Sequence, residues 1–374
     1  MTVSRPAAVV ILAAGAGTRM KSSVPKVLHP ICGAAMLDHV LAAARELDPA
    51  ELFVVVGHQR REVIGHLAGH APDARVVIQH EQGGTGHAVR MVVEAAGLGQ
   101  GTVVVTYGDT PLLRGQTLAS LAREHTAQRA AVTALTAVLD DPTGYGRILR
   151  DDRGAFVEIV EEADASAEQK AITEINSGVY AFDSALLADS VKRLPTSNAK
   201  GEEYLTDVVA ILQAEGQRVA SVMEEDATDV FGVNDRIQLA EARRVLNARV
   251  LERWMRAGVT ITDPSTTAID VDVVIGPDAE IGPGTQLEGS TVVEAGARIG
   301  PACLLRDTTV GAGATVAYAV CESAVIGPGA AVGPFAHLLP GTAIGRGEQV
   351  SGTGGTTSRV GGPGIATSEG ERSA

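Results

Sequence analysis

The chain has 374 residues, 45 of them Asp or Glu against 31 Lys or Arg, a formal charge of −14, and 45% hydrophobic but only 3% aromatic residues. A chain of this length can bury more than one core, and those cores must be aliphatic. The acidic balance excludes a general nucleic-acid binder, which needs a basic footprint, but leaves room for a phosphorylated small ligand met by local Lys and Arg.

The opening stretch "MTVSRPAAVVILAAG" carries a short apolar run followed by Gly, Thr, Arg and Lys. It offers no cleavage site, and nothing in the chain reaches the ~18 consecutive apolar residues of a membrane span. Cys32, Cys303 and Cys321 are odd in number and widely spaced, with neither a metal-ligand pattern nor a disulfide framework. A soluble protein of a reducing cytoplasm is expected, with no membrane partner and no nucleic acid.

Residues 1–233 alternate two patterns. "AAVVILAAG", "LFVVVGH", "ARVVIQ", "GTVVVTYGD" and "AAVTALTAVL" are continuous apolar runs, as in strands buried on both faces of a largely parallel sheet. Between them "MLDHVLAAAREL", "TGHAVRMVVEAAG" and "TLASLAREHTAQ" carry helical spacing. The alternation predicts an open, Rossmann-like α/β domain that binds ligands beyond the carboxyl ends of its strands. Residues 234–262 predict a linker helix, with Leu239, Leu246, Val250 and Trp254 as its apolar stripe and Gly258 as its stop.

Residues 263–349 change period. Ile275, Ile281, Leu287, Val293, Ile299 and Leu305 recur at steps of six, and after a slip in phase Ile326, Val332, Leu338 and Ile344 resume. A hexapeptide period predicts a left-handed parallel β-helix, here of about four coils, with three hexapeptides to a coil. Residues 350–374 are rich in Gly, Ser and Thr and are expected to be disordered.

The first strand empties into "LAAGAGTRMKSSVPK". The Gly15-Ala16-Gly17 turn lets backbone N–H groups approach a phosphate, and Arg19 and Lys26 add charge. There is no Gly-Lys-Ser/Thr of a Walker loop, and Arg19-Met20-Lys21 stands where the dinucleotide fingerprint needs its third glycine. Asp109 follows an apolar strand at the ligand-facing end, where it can bind Mg²⁺ or cap the next turn. Gln79 either reads a base edge with its amide or simply ends a strand. His87 reads as a helix N-terminal residue rather than a catalyst.

The G-x-G-T-R turn followed by "PKVLHPICG" resembles the sugar-1-phosphate nucleotidyltransferases, and within them the family of bifunctional N-acetylglucosamine-1-phosphate uridyltransferases/glucosamine-1-phosphate acetyltransferases. "QHEQGGTGHAV", "TYGDTPLL", "DPTGYGRILR", "VEIVEEADAS", "EINSGVYAF", "NAKGEEYLTDVV" and "FGVNDR" continue the resemblance through most of the chain. It implies that UTP and N-acetylglucosamine 1-phosphate are joined with Mg²⁺. It places Leu12, Ala13, Ala14, Gly15, Gln79, Gly84 and Thr85 on the nucleotide, and Arg19 and Lys26 at the reacting phosphates. Tyr107, Gly108, Gly146, Glu161, Asn176, Tyr204, Thr206 and Asn234 would surround the substrate, and Asp109 and Asn234 would hold the metal.

Three positions depart from the family pattern. Asp235 replaces the second Asn of "GVNNR", which is expected to strengthen cation binding. Glu203 replaces the first of two tyrosines, which keeps open another sugar 1-phosphate or another nucleotide. In "FAHLLPG", Leu339 stands where the resemblance calls for a phosphate-binding arginine, and His337 is no substitute. The later coils that carry the family's acetyl-transfer residues are expected to be missing, and with them acetyltransferase activity. The β-helix can still serve a homotrimer, and a non-catalytic assembly or regulatory protein of the same fold is the remaining alternative.

Overall fold

The structure is a computed structural model and describes residues 5–352. Most of the tail expected to be disordered therefore lies outside the described residues. The chain divides between Leu246 and Asn247 into two compact units.

In the first unit, β1 (Ala8–Ala13) leads through the glycine turn to a short hairpin, β2 (Pro30–Ile31) and β3 (Ala34–Ala35). Then follow α1 (Met36–Arg45), β4 (Glu51–Val56), α2 (Arg60–His70), β5 (Arg75–Ile78), α3 (Thr85–Ala96), β6 (Thr102–Tyr107), α4 (Gly115–Gln128) and β7 (Val132–Val138). The remainder comprises β8 (Gly146–Arg150), β9 (Phe156–Val160), α5 (Ala167–Lys170), β10 (Glu174–Asp183), α6 (Ser184–Ser190), α7 (Asp207–Ala214) and β11 (Val219–Met223).

The main sheet runs β11-β7-β10-β6-β1-β4-β5, with β8 on β10 and β9 on β8. β1 pairs in parallel with β4 and β6, so that Ala13 lies level with Val56 and Leu12 with Tyr107. Successive residues of β1 enter opposite cores. Val9 and Ile11 pack with Leu37, Val40 and Leu41 of α1 and Leu118 and Leu121 of α4, whereas Val10 and Leu12 pack with Val89 and Val92 of α3 and Val208 of α7. Burial on both faces explains why the strands read as unbroken apolar runs.

The sheet is less parallel than the sequence pattern predicts. β10 lies near its centre and runs antiparallel to β6 and β7. A buried apolar run carries no mark of its direction, so the reversal was not legible. Between Asn176 and Tyr180 the β10 register shifts, around Gly178 at φ +81°. A Cβ on Gly178 would lie 2.3 Å from the Tyr107 ring, so this glycine admits the tyrosine that ends β6.

The helix α8 (Arg236–Arg256) gives Leu239 and Ala242 to the first unit's core and Val250, Leu251 and Trp254 to the second's.

The second unit is a left-handed parallel β-helix whose two- and three-residue strands stack into three sheets of six, five and five strands. Each strand turns one apolar side chain inward: Ile281, Leu287, Val293, Ile299 and Leu305 are all essentially buried. The strands complete five coils and begin a sixth, against the four expected, because the first coil starts at Ile261 and the slip conceals another. Equivalent residues lie 18 apart at Glu280–Arg298, 17 at Arg298–Thr315, 16 at Thr315–Ala331 and 18 again at Ala331–Gln349. The corners in the shortened coils use Asp307, Tyr318 and Ser323 at φ +49°, +48° and +44°. Each replaces a longer corner with one left-handed residue, which breaks the six-residue count without breaking the stack.

Interior and exterior positions should respond differently to truncation. Ile281→Ala is expected to cost about 2–5 kcal/mol through the cavity it leaves, whereas exposed Leu339→Ala should cost about 0.5 kcal/mol or less. Chemical denaturation of the two variants followed by circular dichroism checks the contrast.

Candidate active site

The carboxyl ends of β1, β5 and β6 bring most of the expected residues to one edge of the sheet. Leu12, Ala13 and Ala14 are buried at the end of β1, and Gly15 is exposed with nothing within 4 Å of where a Cβ would stand. Gly17 has φ +58°, and a Cβ there would lie 2.6 Å from Lys26 Cβ. This glycine therefore does more than form a turn: it lets Lys26 return to the end of β1.

Lys26 begins the short helical turn Lys26–Leu28 after Pro25, and its Nζ forms an ion pair with Asp109 Oδ2. The same ammonium donates to Asn234 Oδ1 at 3.1 Å. Lys26 and Asp109 are partly enclosed, with 13% and 18% of their side chains exposed. The Asp109 carbonyl accepts from Val233 N at 2.9 Å, which ties the two oxygen-bearing loops together. Three residues spread over more than 200 positions of sequence thus share one cation position. Two hard oxygen donors converging on a cation form a donor set suited to Mg²⁺. Arg19 is exposed on the turn Thr18–Met20, and its side chain has no partner among the described residues.

Asp235 does not join this cluster. Its Oδ1 accepts from Ile237 N and Gln238 N, both at 2.9 Å, which caps the start of α8. The expectation that it strengthens cation binding is therefore replaced by a capping role.

On the nucleotide side, the Gln79 amide donates to Gly84 O at 2.9 Å and meets His87 Nδ1 at 3.1 Å. His87 thus orients the Gln79 amide. Gly84 has φ +104°, and a Cβ there would lie 2.5 Å from Glu203 O. The backbone of Glu203 clasps this turn, accepting from Gly86 N at 2.8 Å and donating to Gly83 O at 2.7 Å. An open cleft of about 450 Å³ adjoins, bordered by Gly57, Arg60, Arg61, Gln79 and Gln82.

The Glu203 side chain turns onto α3, where Arg90 grips it with Nε at 3.0 Å and a terminal nitrogen at 2.7 Å. The departure from tyrosine is thus absorbed by an ion pair with α3. Glu203→Tyr is accordingly expected to change the preference among sugar 1-phosphates by about twofold or less, the range of a substitution outside the pocket. The ratio of kcat/KM for N-acetylglucosamine 1-phosphate to that for glucose 1-phosphate, measured in both proteins, checks this.

The Tyr107 phenol lies between Thr85 and the acidic side chains. Burial raises its pKa, the Glu161 and Asp109 charges raise it further, and a hydrogen bond with Thr85 opposes them, so it stays protonated. Thr85 Oγ1 also accepts from Leu205 N at 3.0 Å.

Glu161 follows β9 and accepts from Thr206 Oγ1 at 3.3 Å. Burial pushes its carboxyl pKa up, against the Thr206 hydrogen bond and the Lys200 charge, while Asp207 and Asp164 add to the rise. Asn176 Oδ1 accepts from Tyr180 Oη at 2.9 Å and from Gly178 N at 3.1 Å. A Cβ on Gly146 would meet Ile159 Cγ2 at 3.2 Å and Asn176 Cβ at 3.5 Å, so the room this glycine leaves is bounded by β9 and β10. Tyr204 is buried, with the Lys200 ammonium 5.9 Å from its ring centroid.

Sequence reasoning missed several supports of these groups. Tyr145 Oη accepts from Gly232 N at 3.3 Å, beside the Asn234 loop, and Gln82 Nε2 donates to Ala14 O at 3.3 Å. Arg147 forms a 2.8 Å ion pair with Glu162, fastening the strands that present Gly146 and Glu161. Tyr145 and Arg147 flank Gly146 in the quoted motif, but nothing in their spacing reveals their partners.

A glycine turn after β1, Lys26, Asp109 after β6 and Asn234 from the loop before α8 form the kind of site a nucleotidyltransferase needs. Residues 9–174 match the MobA-like NTP transferase domain. Over 347 residues the chain is 57% identical to the bifunctional protein GlmU of Streptomyces avermitilis, covering 92% of this chain and 72% of that protein. Identity to the same protein of Thermobifida fusca is 58% over 88% and 69% of the two chains, and to that of Nocardia farcinica 52% over 90% and 70%. The chain belongs to the GlmU family, and its first unit is a sugar-1-phosphate uridylyltransferase.

Proposed function

We propose that the first unit joins UTP to N-acetylglucosamine 1-phosphate in the presence of Mg²⁺, releasing pyrophosphate and UDP-N-acetylglucosamine. The convergence of Lys26, Asp109 and Asn234 on one cation position carries this reading. An oxygen of the sugar phosphate attacks the α-phosphorus as the bond to the β-phosphate breaks. That oxygen is already ionised at neutral pH, so the reaction needs no general base, and catalysis rests on positioning and charge neutralisation.

Each chain residue then has a task. Backbone N–H groups around Gly15 approach the nucleotide phosphates without a side chain between them. Lys26 supplies positive charge at the reacting phosphates, and Arg19, exposed on its turn, meets the departing pyrophosphate. Gln79, held by His87, reads the base edge beside Gly84 and Thr85. Tyr107, Gly108, Gly146, Glu161, Asn176, Tyr204 and Thr206 bound the sugar, with the half-buried Glu161 as its hydrogen-bond acceptor. Bound Mg²⁺ would supply Lewis-acid charge at the phosphate oxygens, held by Asp109 and Asn234.

A coupled pyrophosphate assay with UTP, N-acetylglucosamine 1-phosphate and Mg²⁺ tests the proposal, with other nucleotides, sugar phosphates and metals run in parallel. Greater kcat/KM for another pair reassigns the substrates, and no turnover with any pair leaves a non-catalytic homologue. Acetyl transfer is proposed to be absent from this chain, because exposed Leu339 offers no charge where the resemblance calls for arginine. Acetyl-CoA-dependent acetylation of glucosamine 1-phosphate by the purified chain would contradict this.

Two further properties belong to the proposal. A cytoplasmic location fits three buried cysteines that form no disulfide, and no described helix is long and apolar enough to cross a membrane. Trimer formation through the β-helix is supported by exposed apolar Tyr318, Val320, Val325 and Phe335, and analytical ultracentrifugation checks it.

A further inference from the structure

A second convergence of ligand-type side chains lies on α1 and α2, outside the nucleotidyltransferase residues. His66 and His70 are four positions apart on α2, which places them on one face. Asp38, in the first turn of α1, brings its Oδ1 to 2.7 Å from His66 Nε2. The two imidazoles stack with centroids 4.0 Å apart and planes 9° from parallel. One donor atom from each of the three residues lies within 4.8 Å of the others.

The contacts behind two of these donors, Asp38 and His70, are those a metal site needs. At the third, a metal would displace the proton that His66 Nε2 shares with Asp38 Oδ1. His70 Nδ1 lies 3.0 Å from His66 O, and a carbonyl can only accept, so Nδ1 carries the proton and Nε2 keeps its lone pair. Asp38 Oδ2 accepts from Ala35 N at 3.1 Å, which fixes the carboxylate and leaves Oδ1 facing His66. Outer hydrogen bonds of this kind set the tautomer and orientation of metal ligands. The nearby cation, Arg45, is paired with Asp73 through Nε at 3.1 Å, so its charge is balanced. His70 is exposed, which leaves coordination positions open to water.

We propose that Asp38, His66 and His70 bind one transition-metal dication of the Zn²⁺ class, clipping α1 to α2. Two imidazoles and one carboxylate suit such an ion, whereas Asp109 and Asn234 offer only the oxygens that suit Mg²⁺. The clip would stiffen a helix that bears on the active site, since Leu37 of α1 packs behind Gly108, within 3.2 Å of where its Cβ would stand.

The test is titration of the full chain, stripped with a chelator, with Co²⁺ in excess Mg²⁺. One equivalent is expected to bind with visible d–d bands of a nitrogen-ligated ion, to be displaced by Zn²⁺, and to raise the melting temperature. His66→Gln and His70→Ala should each weaken binding at least about tenfold, the scale on which disturbed metal shells lose affinity. Asp109→Ala should bind as the parent does, and metal-stripped His70→Ala should retain the parent's uridyl transfer in Mg²⁺. Because His70 is exposed, its variant guards against a folding defect at His66. The site is overturned by no uptake in the parent, by undiminished uptake in both histidine variants, or by loss of uptake in Asp109→Ala.

Discussion

Asp109→Ala is expected to reduce uridyl-transfer turnover at least about a hundredfold, a loss of roughly 2.7 kcal/mol or more in transition-state stabilisation. The structure separates the role of this carboxylate from that of its loop. The Asp109 backbone is held through its carbonyl by Val233 N, and Gly108 N donates to Leu12 O at 2.9 Å. Neither bond uses the side chain, so truncation should leave the strand ends in place. What disappears is the charge opposite Lys26 and one of the two oxygens that face it. Lys26 keeps Asn234 as a partner, and the group stays open to water on one side, so stability should fall far less than activity. Asp109→Asn retains the shape without the charge and should show most of the defect. Steady-state pyrophosphate release at saturating substrates, with melting curves alongside, separates the two effects. Near-normal turnover in Asp109→Ala would remove this residue from the reaction.

The sequence made the presence of this cluster legible, but not its internal contacts. Strand ends are easy to find, because apolar runs followed by Gly or Asp mark where β1 and β6 deliver their loops. That Lys26 reaches both Asp109 and Asn234 depends on the left-handed conformation of Gly17 and on closure of loops far apart in the chain. Local patterning contains neither distance. The same limit explains the misplaced roles: Asp235 reads as an added ligand until its bonds to the α8 amides are seen, and Glu203 as a pocket residue until Arg90 is found beside it. In the β-helix, the inward residues are legible wherever the period is six. Corners at Asp307, Tyr318 and Ser323 hide it, since nothing in those residue types announces a left-handed conformation.

Lys26→Met is the companion experiment, because methionine keeps much of the stem and removes the ammonium. Turnover is expected to fall by roughly a hundredfold or more, as for loss of one preorganised charge at a reacting phosphate. The combined Asp109→Ala/Lys26→Met variant carries the more discriminating information. Independent contributions would multiply, giving a loss of about 10⁴-fold or more. The structure argues for less, because the two side chains already neutralise one another and face the same position as Asn234. Once Asp109 is gone, the ammonium keeps only the neutral Asn234 amide as its partner at that position, and removing it should cost roughly tenfold further or less. Measuring kcat for the parent, both single variants and the double variant at equal Mg²⁺ closes the cycle. A double-variant loss equal to the product of the single losses would show that Lys26 and Asp109 act on separate charges, and the shared cation position would no longer explain catalysis.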